Sequence, residues 1–277
     1  MNAFLKTAIA GAAAGLALAA QAVVIDDFND PNPGDQTVVD TQLSGAGASV
    51  GSGSSYAGAG IIGGARDLYV IKTNGQNTGV AGAISASVEN GVYSFNSGSG
   101  QAGVGIIRWD GAANTTFNQN VGDTIATNLN NAIGSINGNG FASTDLQTTG
   151  SGAFVLDVLS ADAGFNFTLQ AFSNGGTQFS SFTAVSAGGP GTYIIPFSVF
   201  SFVPALQCAG GVAAGCADFS QITALQAIIN FPGAPVIDVD LRIDIVDNVV
   251  PEPAALGLAG LALLGAGVAR RRARKAA

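Results

Sequence analysis

The chain has 277 residues and no histidine, and its formal net charge is −8 at neutral pH. Residues 23–250 alone carry 17 acidic and four basic side chains, a net charge of −13. The lack of histidine excludes Ser-His-Asp triads, Cys-His dyads and histidine-ligated zinc, and the acidic balance disfavours nucleic acid as a partner.

Residues 1–22 have the pattern of a secretory signal peptide. Lys6 opens a short basic region, an apolar stretch runs from Ala8 to Ala19, and Ala20-Gln21-Ala22 is the small-x-small pattern that signal peptidase cleaves. We therefore expect an exported chain that signal peptidase processes and whose mature form begins at Val23.

Between residues 23 and 250 the sequence predicts about a dozen short strands. Alternation of apolar and polar residues is clearest at Phe165–Ala171 and at Ile237–Ile245, and Asn-Gly and Asp-Gly pairs supply turns between segments. The remaining predicted strands are Val23–Phe28, Gln36–Leu43, Arg66–Lys72, Val80–Val88, Gly91–Phe95, Val104–Trp109, Phe154–Leu159, Thr177–Val185, Thr192–Phe197 and Ile222–Phe231. The pattern predicts an all-β fold, a single jelly-roll-like β-sandwich.

Two segments depart from this strand pattern. Ile125, Leu129 and Ile133 recur at four-residue spacing, which predicts a helix over Thr124–Ile133. The Gly/Ala/Ser-rich segment from Gly45 is interpreted as a loop to Gly53 and as a strand afterwards.

Arg66 and Trp109 are predicted to form a structural strut. The single tryptophan of a small domain usually anchors packing, and Arg66 is expected to pair with Asp67, Asp110 or another carboxylate. A ligand contact is the alternative role for the same residues.

The two cysteines, Cys208 and Cys216, are separated by seven residues rich in glycine and alanine. In an exported chain this pair indicates a disulfide rather than a metal or redox site, because a redox pair favours C-x-x-C spacing.

Three carboxylates in the C-terminal third raise the question of catalysis. Asp238, Asp240 and Asp244 alternate with apolar residues and therefore lie on one face of the predicted strand. The spacing of side chains on one strand face is compatible with that of the paired carboxylates in glycosidases. A solvated strand face explains the same alternation, because the opposite face is fully apolar. The second interpretation is preferred.

A further acidic cluster, Asp26-Asp27-Phe28-Asn29-Asp30, opens the mature chain. In jelly-roll carbohydrate-binding modules the first and last strands pair and often share a structural Ca²⁺. A resemblance to them implies Asp27, Asp30 and either Asp244 or Asp247 as ligands. No other cofactor is expected, and the D-x-D-x-D-G loop of a strong calcium signal is absent from the sequence.

The last 27 residues combine three signals. Pro251-Glu252-Pro253 precedes an uncharged apolar run from Ala254 to Ala269, which as a helix would be about 24 Å long, against about 30 Å for a hydrocarbon core. Such a short transmembrane helix requires snorkelling side chains and local thinning of the bilayer. A basic cluster that is expected on the cytoplasmic side ends the chain: Arg270, Arg271, Arg272, Arg274 and Lys275.

The order of signal peptide, Gly/Ser/Asn-rich body, Pro-Glu-Pro motif, glycine-containing apolar run and basic cluster resembles the PEP-CTERM proteins of Gram-negative bacteria. The resemblance implies that an exosortase-type enzyme recognises Pro251, Glu252 and Pro253 in the inner membrane and that the tail is removed near this motif. It divides the chain into a signal peptide (1–22), an ectodomain (23–250) and a sorting tail (251–277), and implies a destination at the cell surface or in the extracellular matrix. An ordinary C-terminal anchor helix is the alternative.

Two functions follow for the ectodomain. The preferred one is a non-enzymatic surface or matrix protein that associates with exopolysaccharide or envelope components. The alternative is a secreted carbohydrate-active enzyme or carbohydrate-binding module that uses Asp side chains. Only four tyrosines and one tryptophan offer rings for sugar stacking, which favours the first.

Overall fold

Two antiparallel sheets pack face to face in the computed structural model. It describes residues 23–29, 36–41, 51–74, 82–111, 117, 120, 123–147, 152–203, 206–207 and 215–249. The predicted all-β sandwich is therefore confirmed. The described residues all belong to one compact unit, 23–249.

Sheet 1 has seven strands. In spatial order they are β11 (Gly191–Pro196), β8 (Ala153–Ala161), β15 (Asp240–Val249), β6 (Val92–Ser97), β5 (Ile84–Glu89) and β2 (Gln36–Asp40), with β1 (Val24–Asp26) also paired with β15. The first and last strands thus lie side by side, as the resemblance to jelly-roll carbohydrate-binding modules implies.

Sheet 2 has eight strands. In spatial order they are β13 (Leu206–Gln207), β12 (Ser201–Val203), β10 (Gln178–Ala187), β9 (Ala163–Ser173), β14 (Ile222–Ile229), β7 (Ala102–Trp109), β4 (Ala65–Asn74) and β3 (Ser52–Ala57). Short 3₁₀ turns occupy Ile62–Gly64 and Phe197–Val199.

The main core lies between the sheets. Leu68, Ile107 and Leu225 of sheet 2 meet Phe95 and Ile243 of sheet 1, and all five are buried. These residues alternate with side chains on the opposite side of each strand, because successive residues of a strand point to opposite faces.

A second, smaller core lies on the outer face of sheet 2. Helix α1 (Ile125–Gly134) confirms the predicted helix and begins at the N-cap Thr124, whose hydroxyl accepts the backbone N–H of Thr127 at 3.1 Å. Its buried Leu129 and Ala132 pack with Phe117 and with outward-facing residues of three strands: Tyr69 and Ile71 of β4, Val104 and Ile106 of β7, and Ile228 of β14. Strands β9 and β10 contribute no residue to this cluster.

The predicted strand Ile237–Ile245 is shorter at its start than the alternation indicates. Asp238 has a positive φ of 56°, and Ile237 is 49% exposed, so β15 begins only at Asp240. The pairing of β15 with β8 also shifts between Ile243 and Ile245. Local alternation cannot reveal a left-handed residue or a bulge, since both depend on the partner strand.

Candidate functional site

The strut predicted at Arg66 and Trp109 is present, and its carboxylate is Asp26. The Arg66 guanidinium donates from Nη1 to both Asp26 oxygens at 2.7 and 2.8 Å, and Trp109 Nε1 donates to Asp26 Oδ2 at 2.7 Å. Gln36 accepts from Arg66 Nε at 2.9 Å. Burial raises the pKa of Asp26, an effect that the Arg66 charge opposes. All four side chains are buried, so they tie the strands together and present no surface to a ligand.

The predicted calcium ligands are only partly brought together. Burial and the nearby charge of Asp27 raise the pKa of Asp247, and one buried oxygen of Asp247 has no hydrogen-bond partner within the described part of the chain. Asp244 is exposed, and Asp30 lies outside the described residues. Two carboxylates fit a hard cation in charge, but no group of three His, Cys, Asp or Glu side chains suited to a metal occurs among the residues described. The calcium site therefore stays a prediction.

A second group of carboxylates lies at the start of β15. Asp162, Asp238 and Asp240 are all exposed, and Asp162 Oδ2 accepts the backbone N–H of Asp240 at 2.8 Å. Desolvation and the charges of Asp162 and Asp238 raise the pKa of Asp240, whereas a hydrogen bond from Asn96 lowers it.

Several predicted residues cannot be placed. Cys216 is buried and not free, whereas Cys208 lies outside the described residues, so their bond stays a prediction. The motif Pro251–Pro253, the apolar run and the basic cluster also lie outside them. In the parts of the chain that the structure does describe, no helix is long and apolar enough to cross a membrane.

A row of polar side chains crosses the outer face of sheet 2. Strand register places seven residues opposite one another on seven neighbouring strands. From β12 to β3 they are Ser201, Ser181, Gln170, Gln226, Arg108, Asp67 and Ser55. We call this set the polar row. The sequence gives no signal for it, because its members come from seven separate segments.

Helix α1 covers the part of the polar row around Arg108. The guanidinium donates from Nη2 to the backbone oxygen of Ala132 and to Ser135 Oγ, the latter at 3.2 Å, and lies 4.5 Å from the centre of the Phe117 ring. Burial lowers the pKa of Arg108, and the charges of Asp110 and Asp67 oppose this. This part of the row is an internal polar network.

The other part of the row lies on β9 and β10, beyond the small core under α1. Ser181 faces Gln170, and one step along the same face Phe179 faces Phe172. The two rings pack at a centroid distance of 5.1 Å. On the other side of Ser181, the Thr183 hydroxyl lies 2.9 Å from that of Thr168.

We call Gln170, Phe172, Phe179, Ser181 and Thr183 the open patch. Thr183 is exposed and the other four are partly exposed. The patch carries aromatic, amide and hydroxyl groups and no charge. Of the five tyrosine and tryptophan rings in the sequence, Trp109, Tyr69 and Tyr93 are buried and cannot stack on a sugar.

An apolar groove of about 240 Å³ lies beside β10 and β11 and is lined by Phe165, Phe167, Tyr193 and Leu241, among others. Val185 and Ile194 at its rim are each 64% exposed. Nothing in the described structure indicates what covers this groove.

Fold and surface together define a β-sandwich domain that has an uncharged open patch on the outer face of sheet 2. Comparison with known families places it in an exported protein, since residues 249–274 match the PEP-CTERM protein-sorting motif. The chain is a PEP-CTERM protein in that it carries this motif, which implies processing by exosortase-type machinery.

Solved structures similar to the chain are mostly carbohydrate-binding modules, with low similarity. A family 11 module described in solution is 12% identical, with a TM-score of 0.32, over 81% of this chain and 99% of that one. The family 11 module of the Clostridium thermocellum cellulase Lic26A-Cel5E is 14% identical, with a TM-score of 0.28, over 77% and 94%. The agarase AgWH50C is 12% identical, with a TM-score of 0.36, over 65% of this chain and 22% of its own. No curated protein matches the chain.

Proposed function

We propose that this chain is a surface or extracellular-matrix protein whose ectodomain is a non-catalytic, jelly-roll-like sandwich associated with exopolysaccharide. The observation that carries the proposal is the coexistence of a C-terminal sorting motif with an open, uncharged aromatic and amide patch on a strongly acidic domain. A polysaccharide offers hydroxyl groups and apolar ring faces, and such a patch complements both.

The interior of the domain has the features of a stably folded protein that can be presented at the cell surface. Its polar interior is organised around the Asp26–Arg66 pair, and a substantial apolar core lies between the two sheets. Association with matrix material then requires only an exposed face, because the sorting tail determines where the domain is delivered.

The proposal is tested by following the full chain in a Gram-negative host that has an exosortase. We expect the mature protein to begin at Val23, to lack the residues after roughly Pro253, and to co-purify with the exopolysaccharide. Mass spectrometry of surface material identifies both ends. Recovery of intact Arg270–Ala277 on the displayed protein would show a plain anchor, and recovery away from the polysaccharide would contradict the matrix role.

A second candidate function is a carbohydrate-active enzyme, and the raised pKa of Asp240 beside Asp162 and Asp238 favours it. We place it second because all three carboxylates are exposed on the surface, whereas a general acid requires a partly apolar cleft. Release of reducing sugar from the exopolysaccharide by the wild type, and its loss in Asp240→Asn, would make this the primary function.

A further inference from the structure

We propose that the open patch binds an uncharged polysaccharide chain and that Gln170 donates to that chain from an amide whose orientation is fixed by Arg108 through Gln226. This inference rests on the proposed function and assigns its binding face. Arg108 and Gln226 are positioning residues, and Gln170 is the residue that contacts the glycan.

The orientation follows from the chemistry of the three side chains. Arginine has only hydrogen-bond donors, so the Gln226 atom that accepts from Arg108 Nε at 3.1 Å is its oxygen, Oε1. The Gln226 amide nitrogen is thereby directed away and donates to Gln170 Oε1 at 2.7 Å and to the Ile133 oxygen at 3.3 Å.

The same logic extends one residue further, to the open patch. Because Oε1 of Gln170 accepts from Gln226, its NH₂ group is the end that the relay leaves for another partner. No hydrogen bond of that NH₂ group occurs among the residues described. A side chain that is held in one orientation before binding loses less conformational entropy when a ligand arrives.

The neighbours of Gln170 suit a sugar ring. Ser181 lies directly opposite and offers a hydroxyl, and the Phe172–Phe179 pair lies one step along the same face. A sugar that stacks on these rings therefore has the Ser181 hydroxyl and the two N–H donors of the Gln170 amide within one cross-strand step.

Charge decides which polysaccharides fit. Residues 23–250 contain four basic side chains, of which Arg66, Lys72 and Arg108 are buried and Arg242 is exposed. Arg242 lies on sheet 1, away from the patch. With a net charge of −13 over those residues, the surface repels anionic polymers, so an uncharged chain is the ligand class.

The relay is tested by Gln226→Glu, a buried change that leaves the patch chemically intact. The new carboxylate still accepts from Arg108 but cannot donate, so Gln170 must rotate its amide and expose Oε1 in place of NH₂. We expect affinity for the glycan to fall about tenfold, which is the scale of one lost hydrogen bond. The exposed Oε1 of Gln170 would then face the glycan oxygen to which the NH₂ group donates in the wild type.

Gln170→Glu also replaces the ligand-facing donor of residue 170 with an acceptor, but by a change at the surface. It tests the donor role of Gln170 if Gln226→Glu fails to fold. Thr37→Glu, on an exposed position of sheet 1, is its charge-matched control. Phe172→Ala removes half of the stacking pair and should also weaken binding about tenfold, whereas Thr37→Glu should not change it.

Binding is measured for the exported full chain by affinity electrophoresis, using uncharged and anionic fractions of the producing cell's exopolysaccharide separated by ion exchange. We expect the uncharged fraction to retard the wild type and to retard the Gln170, Gln226 and Phe172 variants equally only at about tenfold higher polysaccharide concentration. Retardation of these variants at the wild-type concentration overturns the site but leaves the matrix role. Preference for the anionic fraction overturns the ligand class, and no retardation in either fraction overturns the proposed function itself.

Discussion

The outer face of sheet 2 is divided into a covered half and an open half. On β4, β7 and β14, helix α1 buries Ile106, Ile228 and the guanidinium of Arg108. On β9 and β10, the same row of the sheet continues as Gln170 and Ser181, which remain partly exposed. One row of polar residues thus serves as an internal network at one end and as a surface at the other.

The comparison shows that the covering helix, and not the residue type, determines whether a residue of the polar row is buried or lies at the surface. Gln226 and Gln170 are the same amino acid in neighbouring strands and share a hydrogen bond of 2.7 Å. The first is fully buried and completes the network around Arg108; the second lies at the boundary with solvent. Variants in the covered half should therefore change stability, and variants in the open half should change affinity; Gln226, which contacts Gln170, is the covered residue whose variant should also change affinity.

The largest expected effect is that of Arg108→Leu in the covered half. It leaves Asp67 and Asp110 buried without the nearby positive charge, and removal of one member of a buried charged group costs about 3–5 kcal/mol. Arg242→Leu, at an exposed position, is the control and should cost under about 0.5 kcal/mol. Urea unfolding of both variants measures the difference, and equal midpoints would show that Arg108 does not organise the covered half.

The next effect concerns the apolar contacts under the helix. Leu129→Ala empties a buried position in α1 and should lower the free energy of unfolding by about 2–5 kcal/mol. Val185→Ala on β10, at a side chain 64% exposed, should cost under about 0.5 kcal/mol. Thermal unfolding compares them, and a harmless Leu129→Ala would mean that the helix does not stabilise the outer face.

The smallest expected effect lies outside both halves, where β1 meets β15. Since its pKa is raised in the folded protein, ionised Asp247 disfavours folding at neutral pH, and this cost disappears as the pH falls through the folded-state pKa. In EDTA, Asp247→Asn should therefore melt above the wild type at pH 7, and the gap should close towards acid pH.

Calcium adds the second arm of that measurement. A Ca²⁺ ion between Asp27 and Asp247 would raise the melting temperature of the wild type and reverse the order of the two proteins. An order that is the same in EDTA and in calcium would refute the predicted metal site, and identical melting in every buffer would refute the interaction between the two carboxylates.

Much of the fold could be predicted from local patterns. The alternation at Phe165–Ala171 lies within β9, and the four-residue spacing of Ile125, Leu129 and Ile133 lies within α1, because both patterns depend only on how the chain buries its own side chains. The predicted start of β15 was wrong by three residues, because the left-handed backbone conformation of Asp238 depends on its surroundings and not on the local alternation.

The candidate site was not predictable in the same way. Arg66 was expected to pair with a carboxylate and Trp109 to anchor packing, but Asp26, which both contact, lies 40 residues from Arg66 along the chain and was assigned to an acidic cluster instead. Gln170 and Gln226 are brought together only by strand register, and neither lies in a motif. Phe172 and Phe179 resemble core residues in sequence, and only the absence of α1 above β9 and β10 distinguishes them.

The central claim is that uncharged exopolysaccharide covers the open patch, and hydroxyl-radical footprinting of the exported full chain tests it most directly. Oxidation of Phe172 and Phe179 is compared with that of the exposed Val39 and Ile194, with and without the uncharged fraction. We predict that the polysaccharide protects Phe172 and Phe179 and leaves Val39 and Ile194 unchanged. Protection at Val39 or Ile194 with none at the phenylalanines would contradict the account.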